Sequence, residues 1–215
     1  MTQKYIIKIG GNAAQQLTPT FFETIKHWQK QHIQVAIVHG GGDQISHLMT
    51  QFNEPVQKFN GIRVTTAQGL HITQMALLGH VLDQALYGYV GVIHQVNTQL
   101  IQQLWQQNLI PIIAPLTMTN DGQWLNVNAD HAATAIAKQL HADALYLLTD
   151  VAGVKVSGCL LQALTPKTAQ QLTADHLATG GMIPKINSAL SAVKRGVHHV
   201  HITNTVTQPG TVVTL

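Results

Sequence analysis

VAIVHGGGDQISH, residues 35–47, passes from a short apolar run through three consecutive glycines into residues suited to a helix. Glycine permits close backbone approach and a helix start presents unpaired N–H groups, so the junction predicts an anion site at the end of a buried strand. A second junction of the same kind, KIGGN at 8–12, closes the apolar run KYIIKI at 4–9. Two such loops point to an open α/β sheet whose ligand crevice lies beyond the carboxyl ends of its strands.

Other Ile- and Val-rich runs recur along the chain: QVAIVH at 34–39, IPIIAP at 110–115, DALYLLTD at 143–150 and HHVHIT at 198–203. They are apolar on both faces and separated by helical patterns. This predicts a mostly parallel central sheet covered on both sides, a three-layer α/β/α sandwich. Helix boundaries are signalled by Thr18-Pro19, Thr165-Pro166 and Arg195-Gly196. Residues 67–86 carry apolar side chains at mixed three and four spacings, and the longest helix is expected there. Two hairpins are expected, VQKFNGIRVT at 56–65 turning at Asn60-Gly61, and one around Asn120-Asp121-Gly122. With no repeat, linker or low-complexity tail, residues 1–215 read as a single domain.

The 215 residues are enough for one well-buried core. Only 10% are charged, and the net charge of +3 rests on 12 basic against 9 acidic residues. That sparse balance argues against a nucleic-acid surface, which needs clustered Lys and Arg. Glutamine fills polar faces instead, as in QLIQQLWQQN at 99–108, which reads as a solvated helix face. Cys159 has no disulfide partner, and no apolar run approaches the roughly 18–20 residues that span a bilayer. A soluble, cytoplasmic protein without membrane or nucleic-acid partners is expected.

Common phosphate motifs fail letter by letter. No G-x-x-x-x-G-K-[ST] occurs, and the third-glycine position after Gly40-x-Gly42 is Ile45. Lys8, two residues before Gly10 in an otherwise apolar strand, reads either as a strand-end lysine reaching water or as a cation for the same anion site. Its place beside the glycine loop favours the anion. His199 and His201 share one face of their strand, but with no third ligand at a defined spacing they read as surface or core residues.

With KIGG, VHGGGD, NGIRVT, LNVNADHAA, LLTDVAGV and GGMIPK in this order, the chain closely resembles the acetylglutamate kinases of the amino acid kinase family. The match runs from Lys4 almost to the C-terminus. The resemblance implies an amino acid kinase-like fold. It also implies ATP-dependent phosphorylation of the side-chain carboxylate of N-acetyl-L-glutamate, giving N-acetyl-L-glutamyl 5-phosphate in arginine biosynthesis. Lys8 and Lys185 match the two catalytic lysines, and Asp130 matches the acid that orients them, although an acid at a helix start also reads as a cap. Gly10 and Gly11 would face the transferring phosphate.

On the acceptor side, Gly41 and Gly42 would meet the substrate, Arg63 would clamp its α-carboxylate and Asn126 would contact it. On the nucleotide side, the match implies a loop formed by Asp150, Val151, Ala152, Gly153, Val154 and Lys155, with Leu177, Ala178 and Thr179 as a second contact. Magnesium would enter with ATP, with no dedicated protein ligand. About 1–125 would form the acceptor half and about 126–215 the nucleotide half.

The match breaks in three places. Before Tyr89-Val90-Gly91 the family carries a further strand and a glycine-rich loop of which almost nothing remains here, and its usual Asn-Lys pair reads Leu82-Asp83. The tail after Thr203 is short. Members inhibited by arginine carry an extra helix before the first strand. Here Lys4 follows closely on Met1, so no such inhibition and a homodimer at most are expected. Two alternatives stay open: a ligand-binding or partner-dependent relative without turnover, and a kinase for another small acid such as carbamate, aspartate or glutamate.

Overall fold

The structure, a computed structural model, describes residues 2–40, 58–59, 62–63, 78–174 and 182–215, with backbone alone at 12, 15, 58–59, 62–63, 78–81, 84 and 173. At its centre β1 (Lys4–Ile9) lies between β2 (Gln34–His39) and β10 (Ala144–Leu148), parallel to both. The sheet extends through β7 (Ile112–Ile113) beyond β2, and through β14 (His199–Thr203), β15 (Thr211–Val213) and β13 (Ala163–Leu164) beyond β10. Only the β14–β15 pair in this sheet is antiparallel, so the expected mostly parallel sheet is present. β1 and β2 coincide with KYIIKI and QVAIVH, as buried strands apolar on both faces should. IPIIAP keeps only two strand residues, between two prolines that cannot donate to a ladder.

Alternation along β1 divides the interior. Ile6 packs with α4 (Thr98–Gln106), α5 (Ala129–Gln139), α6 (Pro166–Ala174) and α7 (Met182–Lys194) in one apolar layer. Ile7 and Ile9 face the other way, against Phe21 and Ile25 of α2 (Pro19–Lys30) and Ala13 of α1 (Gly11–Gln15). Lys8 therefore enters on the α5 side, in step with Ile6.

The helices α2, α4, α5 and α7 all end in the same left-handed turn, in which an N–H reaches back five residues: Ile33 to Trp28, Leu109 to Leu104, Ala142 to Ala137 and Val197 to Ala192. Gly196 takes the left-handed position in one of them, but His32, Asn108 and His141 take it in the others, at φ 61°, 57° and 51°.

Both expected hairpins are found. β3 (Lys58–Phe59) pairs antiparallel with β4 (Ile62–Arg63), and the expected turn residues Asn60 and Gly61 lie outside the described residues. β8 (Leu116–Met118) pairs with β9 (Trp124–Asn126), turning at Gly122 with φ 90°.

The long helix expected over residues 67–86 is corrected. Residues 67–77 lie outside the described set, and the rest forms β5 (Leu78–Val81) followed by the one-turn helix α3 (Gln84–Tyr87). The longest described helix is α7, of 13 residues. β5 runs antiparallel to β6 (Gly91–Gln95) and parallel to β8, in a four-stranded sheet ordered β6-β5-β8-β9. Pairing across the sheet has overridden a helical spacing, helped by Gly79, a poor helix former, and by Gly88, whose φ of 67° returns the chain into β6. β5 thus lies within the span read as a helix, before the place at which the family's further strand and loop are expected to be missing. Asp83 caps the short helix by accepting from Leu86 N at 3.1 Å. Gly91 is required by packing, since a Cβ there would fall 2.7 Å from Thr117 Cγ2 and 2.9 Å from Leu125 Cβ.

Candidate active site

The carboxyl ends of β1, β2 and β10 and the start of α5 meet at one edge of the main sheet. Lys8 Nζ lies 2.8 Å from Asp130 Oδ1 there. Both residues are buried, at 7% and 6% exposure. Asp130 sits in the first turn of α5, where a negative charge is favoured by the helix dipole. Capping falls to Asn128 instead: its side-chain oxygen accepts from Asp130 N at 2.9 Å and His131 N at 3.2 Å. That corrects the reading of Asp130 as a cap and leaves its carboxylate to the lysine. The signal for Asn128 was in the sequence, because Asn is among the strongest capping residues.

Lys4 was not read as part of this arrangement. Its Nζ donates to Leu140 O at 3.0 Å, at the far end of α5, and its N–H donates to Asp143 Oδ2 at 2.8 Å. Lys4 and Lys8 stand on the same face of β1 and hold opposite ends of one helix. A cation at the helix C-terminus and an acid at its N-terminus both oppose the macrodipole.

Glycines border the ammonium. A Cβ on Gly10 would stand 3.4 Å from Lys8 Nζ, and one on Gly40 would stand 4.0 Å from Lys8 Cε and 3.1 Å from Ala129 Cβ. Gly10 precedes α1 in extended conformation, so the N–H groups of Gly11 and the residues after it open toward the edge of the sheet.

Lys185 is the fourth residue of α7, in the first turn as expected, and is half-buried. α5 leads into β10 and α7 into β14, parallel neighbours, so both helices begin at the edge that carries Lys8. Asp150 follows β10 at that edge and accepts from Thr149 Oγ1 at 2.9 Å. Val151 and Ala152 are half-buried, Gly153 and Val154 are buried, and Lys155 opens β11 (Lys155–Val156) with its side chain exposed. Asn126 ends β9, half-buried, its N–H donating to Tyr89 O at 2.9 Å. The backbone of Arg63 lies in β4, but its side chain is outside the described residues, as are Gly41, Gly42, Leu177, Ala178 and Thr179.

His199 and His201 share a face of β14, with ring centroids 6.5 Å apart. His201 stacks on Tyr146 at 4.6 Å and 10°, and its Nδ1 lies 3.1 Å from Pro209 O. Burial pushes the His201 imidazole below its ordinary pKa and pushes the Tyr146 hydroxyl up to about 12. Among the described residues, no group of three His, Cys, Asp or Glu side chains could hold a metal ion, and no helix is long and apolar enough to cross a membrane.

Residues 3–204 match the amino acid kinase family. Acetylglutamate kinase of Leuconostoc citreum is 66% identical over 245 aligned positions, covering 100% of both chains, and that of Leuconostoc mesenteroides is 60% identical over 243. Set against 215 residues, 245 positions leave 30 at which the first relative has no counterpart here. The crystal structure of smu.665 from Streptococcus mutans UA159 superposes with a TM-score of 0.93 at 36% identity, covering 100% of this chain and 99% of that one.

Proposed function

The chain belongs to the amino acid kinase family, and we propose that it transfers the γ-phosphoryl group of ATP to the side-chain carboxylate of N-acetyl-L-glutamate. The product is N-acetyl-L-glutamyl 5-phosphate, in arginine biosynthesis. The observation that carries this reading is the buried Lys8–Asp130 pair, with Gly10 and Gly40 beside the lysine, in a chain so close to acetylglutamate kinases.

A carboxylate acceptor, with a reference pKa of about 4.3, is already ionised at neutral pH, so the reaction needs no general base. Its difficulties are repulsion between anions and charge spread over the transferring group, which fixed cations and N–H groups relieve. An ammonium has three donors. Asp130 takes one from Lys8 and fixes its direction, and we assign the others to the phosphoryl oxygens. Burial keeps competing water from the pair and strengthens its field.

Lys185 is assigned to the opposite side of the phosphoryl group, and the N–H groups of Gly10 and Gly11 to its oxygens. Asp150 to Lys155, with Leu177, Ala178 and Thr179, take the nucleotide. Gly41, Gly42, Arg63 and Asn126 take the acceptor, a guanidinium being suited to bidentate binding of the α-carboxylate. These assignments divide the chain into an acceptor half, about 1–125, and a nucleotide half, about 126–215. Magnesium would come with ATP and would supply further positive charge at its phosphates, with no residue of this chain assigned to hold it. We place the enzyme in the cytoplasm as a homodimer, for which exposed Leu82, Leu86 and Val92 on the β5–β6 return offer apolar surface.

The test is acyl-phosphate trapping. Purified protein with Mg-ATP and N-acetylglutamate should yield a hydroxamate when hydroxylamine is present, in preference to glutamate, aspartate or carbamate as acceptor. Equal or better turnover of an unacylated acid overturns the substrate, and ATP binding without product overturns the reaction.

A further inference from the structure

β11 and β12 (Cys159–Leu160) form a hairpin in register Lys155↔Leu160 and Val156↔Cys159, so the next facing pair is Val154 and Leu161. That pair makes one ordinary bond, Leu161 N to Val154 O at 2.8 Å. The reciprocal bond is replaced by a side chain. Thr211 Oγ1 accepts from Val154 N at 2.8 Å and donates to Leu161 O at 2.6 Å. The hydroxyl of β15 is thus inserted into the ladder of the hairpin that closes the 150–155 loop, and it is fully buried.

The backbone is fitted to this insertion on both sides. A Cβ on Gly153 would lie 2.7 Å from Thr211 Oγ1 and 2.9 Å from Thr211 N, and one on Gly210 would lie 2.8 Å from Ala152 O. The two segments lie backbone against backbone, which leaves no room for a side chain at either glycine.

We propose that Thr211 is a positioning residue for nucleotide binding, acting through Val154 to set the shape of the 150–155 loop. The inference rests on the assignment of that loop to ATP. Without the hydroxyl, Val154 N–H and Leu161 O both lose the partner that joins them. The loop must then shift or leave two buried groups unpaired.

The variants Thr211→Val and Thr211→Ala both sever the bridge, whereas Thr211→Ser keeps it. The first two should raise the KM for ATP and the Kd of a non-hydrolysable ATP analogue about tenfold, the loss of one to two buried hydrogen bonds. The KM for N-acetylglutamate should stay within about twofold, and Ser should restore wild-type values. Alanine adds no methyl clash and reads the bridge if the valine variant fails to fold. Equal changes in both KM values, no change in that for ATP, or failure of serine to rescue each overturn the proposal. Asp150→Ala and Lys155→Ala separate it from its premise. If neither alters ATP affinity, the loop assignment fails and the role of Thr211 with it. If they do and the Thr211 variants do not, only the role of Thr211 fails.

Discussion

Lys8 Nζ lies 2.8 Å from Asp130 Oδ1, joining the carboxyl end of the central strand to the first turn of α5, and both side chains are 8% exposed. A buried ion pair of this kind contributes little net stability over an apolar replacement, yet breaking it leaves a charge with no compensation.

Asp130→Ala or Lys8→Met should therefore cost about 3–5 kcal/mol in chemical denaturation. The double variant Lys8→Met, Asp130→Leu should recover most of that. Turnover should stay down about 10²–10³-fold in all three, the usual effect of removing a group that stabilises transition-state charge. Recovery of turnover together with stability in the double variant would remove Lys8 from the chemistry.

Lys185→Ala separates catalysis from folding more cleanly, because the side chain is half-buried at a helix start. The expected result is a fall in kcat of about 10²–10³-fold with little change in either KM. The thermal midpoint should move by only a few degrees, as for most substitutions outside the core. Unchanged kcat would exclude Lys185 from the transition state.

His32 and His141 end α2 and α5 in left-handed conformations, where a side chain is strained. Glycine at either position should stabilise by about 0.5–1 kcal/mol, its relief of strain partly offset by the greater freedom it gives the unfolded chain. That corresponds to roughly 1–4 °C in the thermal midpoint for a protein of this size. A lower midpoint in both variants would show that the imidazoles make contacts worth more than the strain.

Acid should weaken the fold through His201. Burial lowers its pKa in the folded protein, opposed by the Pro209 carbonyl and reinforced by His199, while Tyr146 stacks on its ring as a neutral phenol. The unfolded chain then takes up the proton first. The contribution of neutral His201 is complete above the ordinary value of about 6.5 and is lost as pH falls below it toward the lowered folded value. Thermal midpoints measured across this range should fall with acid for the native chain and fall less for His201→Gln. Parallel curves would exclude His201 as the titrating group.

The central strands were legible because Ile and Val on both faces leave a parallel, doubly covered position as their natural place, and β1 and β2 agree with the sequence residue for residue. Leu78 to Val81 was not, since its spacing satisfies a helix and its partners in β6 and β8 are known only once the sheet has formed. Within the site, Lys8 stood out as a charge in an apolar strand, whereas Asp130, at a helix start, was singled out only by its match to the family motif. Lys4 and Thr211 did not, because their roles depend on carbonyl and amide groups, at Leu140, Val154 and Leu161, that sequence patterning leaves anonymous.

Because Lys4 and Lys8 grip the two ends of α5, strand and helix work as matched rulers, and the register of one sets the aim of the other. One residue inserted within α5 would turn everything before it by about 100° around the axis and carry Asp130 off its lysine. Length is free to vary in the surrounding loops, but this strand and this helix can change only by substitution.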